Sequence, residues 1–208
     1  MKIGFLSISF LLIISVCSIQ VYSLVVAARK YARGHKTAQI SQIRFRTQNE
    51  KLFYGAKHNF IRLVREALDA QANVNAQNEL GFTALHYALK FGFFAIADYL
   101  LEHHAKINVK NNYGETILHC AVMAHAMFRD VEIMVNKLLE RGAKCNTKDD
   151  SGMAPLHYAA KRGIKKVVLS LLAYGADPDI INKQGLRAID LACDREVFEI
   201  LDERTRYD

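Results

Sequence analysis

The sequence predicts an all-α fold, built as a solenoid of helix–turn–helix units that stack side by side. Glycines recur at spacings of 33, 38 and 33 residues, and self-similarity at such a period is typical of repeat architectures. A similar short motif follows each glycine, and three of the units later contain a leucine pair followed by an alanine. The recurring glycines are Gly81, Gly114, Gly152 and Gly185.

Each unit is predicted to contain a turn, two antiparallel helices and an extended connector. The glycine supplies a positive φ at the turn, and Thr83 and Thr116 cap the helices that follow it. Apolar residues recur at helical spacing and form a stripe that one unit cannot bury alone, so neighbouring units share one core. The predicted boundaries are an N-terminal capping half-unit at 52–77, three full units at 78–110, 111–148 and 149–181, and a C-terminal capping unit at 182–208 that stops after one short helix.

The motif after each glycine resembles the ankyrin repeat, whose signature is Thr-Pro-Leu-His-x-Ala within a 33-residue unit. Residues 83–88 read Thr-Ala-Leu-His-Tyr-Ala, and residues 154–159 read Ala-Pro-Leu-His-Tyr-Ala. The resemblance covers about three quarters of the chain in four copies that keep the same register. It implies a non-catalytic module that binds a protein partner on the concave surface formed by the turn tips and the first helices.

The resemblance also places the candidate protein-binding residues. They occupy positions that face solvent in ankyrin repeats, and here they are unusually apolar, with lysine and arginine beside aromatic rings. An exposed apolar patch marks an interaction site, and such combinations suit interface hot spots. Packing of several of these side chains against the neighbouring turn is the alternative. The candidates are Leu80, Phe82, Lys90, Phe91, Tyr113, Met123, Met153, Lys161 and Arg162.

The second unit departs from the repeat because it is five residues longer than the first and third. The extra residues fall between its two helices, in the stretch 122–130. Loops absorb insertions at low entropic cost, so a neutral bulge is one interpretation. The other is a protruding contact point formed by Met127 and Phe128.

Residues 1–23 are predicted to be a signal peptide or a membrane anchor. Between Lys2 and Arg29 the chain has 26 residues without a charge, and a helix of that length, at about 1.5 Å per residue, would cross a hydrocarbon layer roughly 30 Å thick. Ser18 and Ser23 offer cleavage positions, which favours a secreted or periplasmic protein. The basic residues that follow favour a single-pass anchor with the repeats on the cytoplasmic side. This leader with the repeats resembles the ankyrin-repeat proteins of intracellular bacteria, some of which meet host proteins.

The net charge of +7 is confined to the start of the chain. Residues 1–51 hold eight basic residues and one acid, which leaves 20 basic and 20 acidic residues in 52–208. Because the repeats are electrically balanced, we expect no nucleic-acid partner. The basic linker 24–51 is predicted to be a solvated spacer. Alternatively, it contacts anionic lipid together with residues 3–28, in a membrane-anchored scaffold.

We expect no catalytic, cofactor-binding or metal-binding residues, and therefore no enzyme. His86, His119 and His157 fall at one position of successive units, roughly 10 Å apart, too far to share a metal or a proton. The resemblance implies that they form local hydrogen bonds. The sequence has no glycine-rich phosphate loop and no nucleophile motif. A monomer is expected, and an accessory subunit of an enzyme is a further alternative.

Overall fold

The computed structural model describes residues 43–205, and from Thr47 onward these residues form a helical array. The predicted leader 1–23, the membrane contact at 3–28 and the linker up to residue 42 lie outside the described residues. Among the helices of 43–205, none combines the length and the apolar content that a membrane crossing requires. The helices are α1 (Gln48–Lys57), α2 (Ile61–Asp69), α3 (Ala84–Lys90), α4 (Phe94–Glu102), α5 (Ile117–Val122), α6 (Phe128–Glu140), α7 (Pro155–Lys161), α8 (Lys165–Ala173), a 3-10 helix (Ile189–Leu191) and α9 (Arg195–Thr205).

The helices pair within each unit and stack between units, which confirms the predicted all-α architecture. The first helices α1, α3, α5 and α7 pack on one another in chain order, and each also packs on the second helix of its own unit. Fully buried leucines and alanines of the first helices line this stack, so the repeated apolar stripe becomes one continuous core. The core positions of the first helices include Leu85, Ala88, Leu118, Ala121, Leu156 and Ala159.

The turn before each first helix depends on its glycine, as predicted. Gly81 and Gly152 both have a φ of 75°, which favours a residue without a Cβ. A Cβ on Gly81 would stand 2.7 Å from the backbone nitrogen of Asn112, and one on Gly152 would stand 2.8 Å from that of Lys183. The glycine therefore permits both the backbone conformation and the close approach of the next unit. The Thr83 hydroxyl accepts a hydrogen bond from the His86 amide and caps α3, which confirms the predicted cap.

Both ends of the array contain more helix than the sequence predicted. Helix α1 begins at Gln48, four residues before the predicted start of the first half-unit, because the Thr47 hydroxyl accepts the Glu50 amide proton and caps the helix. The C-terminal unit contains two helical segments, a 3-10 turn and the 11-residue α9, rather than one short helix. Val197 and Leu201 of α9 are buried, and this burial explains why a second helix forms there.

The insertion of the second unit lengthens a helix more than a loop. Helix α6 has 13 residues, whereas the corresponding helices α4 and α8 have nine each. The chain between α5 and α6 is residues 123–127, two residues longer than the connection between α3 and α4. The additional turn of α6 therefore projects beyond the second helices on either side, and the bulge predicted from the sequence is largely helical.

Candidate functional site

The turn tips of successive units are tied to one another by backbone hydrogen bonds. The amide of Asn112 donates to the carbonyl of Leu80, that of Asp150 to Tyr113, and that of Lys183 to Ser151, each at 3.0 Å. These bonds place the tips in one row at a regular spacing. We call the four tips, residues 79–80, 112–113, 150–151 and 183–184, the turn-tip row.

A side-chain acceptor inside each turn fixes its shape. The Oδ1 atom of Asp149 accepts the amide protons of Ser151 at 2.8 Å and Met153 at 2.9 Å. Asn78, Asn111 and Asn182 accept the corresponding pair of amides in the other turns. The sequence interpretation missed these residues, although an asparagine or aspartate three positions before each repeated glycine was the signal. Because backbone and side chains both hold the turns, the tips have a fixed shape.

Two candidate residues are exposed in this row, and a third supports them from below. Leu80 is 47% exposed and Tyr113 is 50% exposed. Phe82 is only 4% exposed, because its ring stacks on Tyr87 at 5.0 Å and meets the edge of Tyr113 at 6.1 Å. The expectation that Phe82 faces solvent is therefore wrong. The Nζ of Lys90 stands 5.2 Å from the centre of the Phe82 ring and adds a cation–π contact.

A cavity of about 410 Å³ lies at the other end of the row, between the third unit and the C-terminal unit. Met153 lines it but is buried, with its Sδ accepting a hydrogen bond from Asn182 at 3.3 Å, so the expectation that Met153 faces solvent is also wrong. Lys161 lines the same cavity, is exposed, and has no carboxylate partner within residues 43–205. Burial is the main reason why the pKa of Tyr158, which also lines the cavity, is raised, and the hydrogen bond that its hydroxyl donates to Asp149 raises the pKa further.

Three candidates lie away from the turn tips, next to the loops that join first and second helices. Phe91, Met123 and Arg162 are the C-cap residues of α3, α5 and α7, and all three are half-buried. The Phe91 ring stacks on the ring of Phe93 at 6.0 Å. Arg162 donates to the Val122 carbonyl at the end of α5. The exposed candidates Leu80 and Tyr113 therefore lie on the turn tips, whereas Phe91, Met123 and Arg162 lie at the ends of the first helices.

The repeated histidines join units by hydrogen bonds. In His119 the Nδ1 accepts the Thr116 amide proton at 3.1 Å, so the proton lies on Nε2, which donates to the Met153 carbonyl of the next unit at 3.0 Å. His157 makes the same two bonds, with Ala154 and Leu186. Burial lowers the pKa of all three repeated histidines, and that of His86 falls to about 4.

His86 departs from this pattern on one side of its ring. Its Nδ1 accepts from the Thr83 amide at 3.1 Å, but its Nε2 lacks a hydrogen-bond partner in the described chain. The Glu115 carbonyl lies at the position that corresponds to the Met153 carbonyl beside His119, but it forms no hydrogen bond with the His86 Nε2. It still acts in the direction that raises the His86 pKa, against the larger effect of burial. Within residues 43–205 no three histidine, cysteine or carboxylate side chains gather at a geometry that would hold a metal ion.

The sequence of these units matches a known family. The family model for ankyrin repeats, in three copies, matches residues 52–149 and 123–205. An ankyrin repeat protein of fowlpox virus is 37% identical over 81 residues, which is 37% of this chain and 12% of the viral protein. An ankyrin repeat protein of Acanthamoeba polyphaga mimivirus is 53% identical over 51 residues, 24% of this chain and 12% of its own length.

A human relative, ankyrin repeat domain-containing protein 40, is 37% identical over 68 residues, which is 32% of this chain and 18% of the human protein. The chain therefore spans less than a fifth of each of these three relatives. Because they are viral and eukaryotic, they add no support for the resemblance to proteins of intracellular bacteria, which stays a prediction, as does the N-terminal signal.

Proposed function

The chain belongs to the ankyrin-repeat family, and from that premise we propose that its repeats bind a protein partner along the turn-tip row. Ankyrin repeats generally mediate protein–protein interaction, and the family is generally non-catalytic. The observation that carries the proposal is the exposure of Leu80 and Tyr113 on adjacent tips joined by a backbone hydrogen bond. Apolar and aromatic side chains exposed together are the usual anchors of an interface.

Preorganisation supports this assignment. Binding costs free energy when loops and side chains must be ordered, and a tip already held by hydrogen bonds avoids most of that cost. Tyr113 has in addition a buried neighbour, Phe82, against its ring edge. We therefore expect the partner to place an apolar side chain between Leu80 and Tyr113.

The far end of the row favours a polar contact. Lys161 and Lys183 line the cavity beside Met153, and neither has a carboxylate partner in the described residues. One acid, Asp150, lines the same cavity. A partner that spans the row would therefore present its apolar side chain to the second unit and a carboxylate to the two lysines.

The cellular site of this binding is a second part of the proposal. We propose export through a cleaved signal at residues 1–23, because the long uncharged stretch and its serines fit a signal peptide. A scaffold anchored in the membrane, with the basic segment on anionic lipid, is the alternative that the lysine and arginine cluster favours. Sequencing the N-terminus of the protein from soluble and membrane fractions distinguishes them. A start near Ile19 or Leu24 supports export, and an intact Met1 confined to membranes supports the anchor.

The binding proposal is tested with a double variant, Leu80→Ala with Tyr113→Ala, in the full chain. We expect proteins that co-purify with the natural chain from its own cells to be depleted roughly tenfold or more with the variant. The melting temperature should hardly change because both side chains are half-exposed. The matched control is Leu169→Ala, also an exposed leucine but on α8. Equal recovery with all three proteins would contradict binding at the turn tips.

A further inference from the structure

The extra turn of α6 exposes more apolar surface than any turn tip. Met127 is 75% exposed and Phe128 is 53% exposed, and the two are neighbours in the chain. On the turn-tip row the two exposed apolar side chains, Leu80 and Tyr113, are 47% and 50% exposed. We call residues 127–130 the insertion ridge. Clustered exposed apolar side chains mark interaction sites more often than isolated ones do.

The ridge is held in a fixed position. The guanidinium of Arg162 lies 5.5 Å from the centre of the Phe128 ring and also donates to the Val122 carbonyl, so the third unit supports the ridge from one side. On the other side, the His125 amide donates to the Lys90 carbonyl at 3.4 Å. Because both neighbouring units hold it, the ridge is a preorganised feature and differs from a loop that merely tolerates extra residues.

A groove of about 340 Å³ runs between the ridge and the loop that joins α7 to α8. Phe128, Gly163 and the buried Ile164 line its apolar part. The side chains of Arg129, Glu132, Lys165 and Lys166 surround this apolar centre. A groove with an apolar centre and a charged rim has the composition of a site for one apolar side chain and its charged neighbours.

The charges on the rim do not cancel. Lys166 pairs with Glu132 at 3.2 Å, and Lys165 pairs with Glu196 at 2.9 Å. Arg129 is exposed and has no carboxylate partner in the part of the chain that the structure describes. Arg162, behind Phe128, is bonded to a carbonyl and a ring but to no carboxylate there. Two guanidinium groups therefore remain without an opposite charge, and a carboxylate is the group that a guanidinium binds best.

We propose that the insertion ridge and its groove form a second protein-docking surface, whose partner inserts an apolar side chain beside Phe128 and places a carboxylate on Arg129. The acid of the ridge itself, Asp130, lines a different groove on the side of the first unit and does not occupy this one. Residues 1–42 of the chain are an unsuitable occupant, because they carry five basic residues and no acid. The surface shares no exposed side chain with the turn-tip row, so the proposal does not depend on the function proposed above.

The test uses random peptides displayed on phage and selected on the full chain. The selection removes phage that still bind a double variant, Phe128→Ala with Arg129→Glu. We expect the surviving peptides to be enriched in an aromatic or aliphatic residue next to aspartate or glutamate. Measured by fluorescence anisotropy, an enriched peptide should bind the natural chain and lose roughly tenfold or more in affinity with Arg129→Glu alone, a change at an exposed position that leaves the fold intact.

The control variant is Lys183→Glu, which reverses an exposed, unpaired charge on the turn-tip row. It should leave the affinity for these peptides within about a factor of two. Failure to enrich any peptide would overturn the proposal, and so would enriched peptides that are basic or uncharged. Peptides that lose affinity with Lys183→Glu but not with Arg129→Glu would place the binding on the turn-tip row and would also overturn it.

Discussion

The turn-tip row and the insertion ridge both expose apolar side chains, but different contacts hold them in place. The tips are joined by backbone hydrogen bonds from unit to unit, such as that from Asn112 to Leu80, and each turn has a side-chain acceptor such as Asp149. The ridge depends on side chains, chiefly the contacts of Arg162 with Phe128 and with the end of α5. The row is thus built from the repeated pattern, and the ridge from the one place where the pattern is interrupted.

Because of this difference, the same kind of substitution has different consequences in the two regions. At the row, replacing an exposed side chain would remove a contact with the proposed partner but leave the hydrogen-bonded backbone intact. At the ridge, the side chain of Phe128 both packs against Arg162 and lines the groove.

Removing the buried ring beneath the turn tips should weaken the row most. Phe82→Ala empties a well-packed site that contacts Tyr87 and Tyr113, and such truncations cost about 3–5 kcal/mol of unfolding free energy. Urea unfolding followed by circular dichroism measures this loss. Tyr113→Ala, at a half-exposed position, should cost less than about 0.5 kcal/mol. Equal losses for the two variants would contradict the burial of Phe82.

Acid should loosen the row through its histidines. Because burial lowers the pKa of His86 to about 4, the unfolded chain binds a proton below the ordinary value of 6.5 while the folded chain does not. The stability that His86 contributes is therefore complete above pH 6.5 and declines as the pH falls towards 4, by up to about 3 kcal/mol. Melting temperatures between pH 7 and pH 4 should show this decline.

As the pH is lowered, hydrogen exchange should show that the turns lose protection earlier than the insertion ridge does, because the ridge contains no buried histidine. Protection that is lost first in residues 127–130 would contradict this assignment.

Two glycine substitutions separate backbone strain from close approach in the row. Gly152→Ala combines a φ of 75° with a Cβ only 2.8 Å from Lys183, whereas Gly185→Ala has a φ of 76° with nothing within 4 Å. Left-handed strain costs each variant about 1–3 kcal/mol. We expect Gly152→Ala to lose at least about 1 kcal/mol more, because the next turn must also move. Similar melting temperatures for the two variants would mean that the tips are less tightly joined than the hydrogen bonds indicate.

The smallest effect is expected at the ridge. Arg162→Ala removes a hydrogen bond to a helix carbonyl and a cation–π contact with Phe128, which together contribute about 1–2 kcal/mol. Hydrogen exchange should increase in residues 123–130 and stay unchanged at the turn tips. Arg129→Ala, which removes an exposed side chain on the same ridge, is the control and should alter neither. An exchange pattern that changes across all units would show that ridge and row are one structure.

The sequence was enough to predict the features that repeat. The glycine turns, the threonine caps and the apolar stripe of Leu85 and its counterparts follow from local periodicity, so the all-α solenoid was predictable. Burial of Phe82 and Met153 was only one of two alternatives, because the position in the repeat does not reveal that Tyr87 and Tyr113 cover Phe82. The second helix of the C-terminal unit was missed because Asp190 replaces the repeated histidine and made that unit resemble a truncated end.

The candidate site was predictable only in part, for the same reason. Leu80, Tyr113 and Lys161 are exposed, as expected for positions that face solvent, and their part in binding stays a prediction. Arg162 was assigned to that surface too, but its contacts with Phe128 and Val122 place it behind the insertion ridge. An insertion has no counterpart in the repeat, so periodicity gives no information about where it packs.

The most direct test of binding at the turn tips is photo-cross-linking in the source cells. The full chain would carry benzoylphenylalanine at position 113, or at position 174 as a control, since Tyr174, the C-cap residue of α8, is exposed to a similar extent. We predict discrete cross-linked species of defined mass from position 113 that are absent from position 174 and are lost when Leu80→Ala is added. Cross-links of equal yield from both positions, or none from position 113, would contradict a protein partner on the turn-tip row.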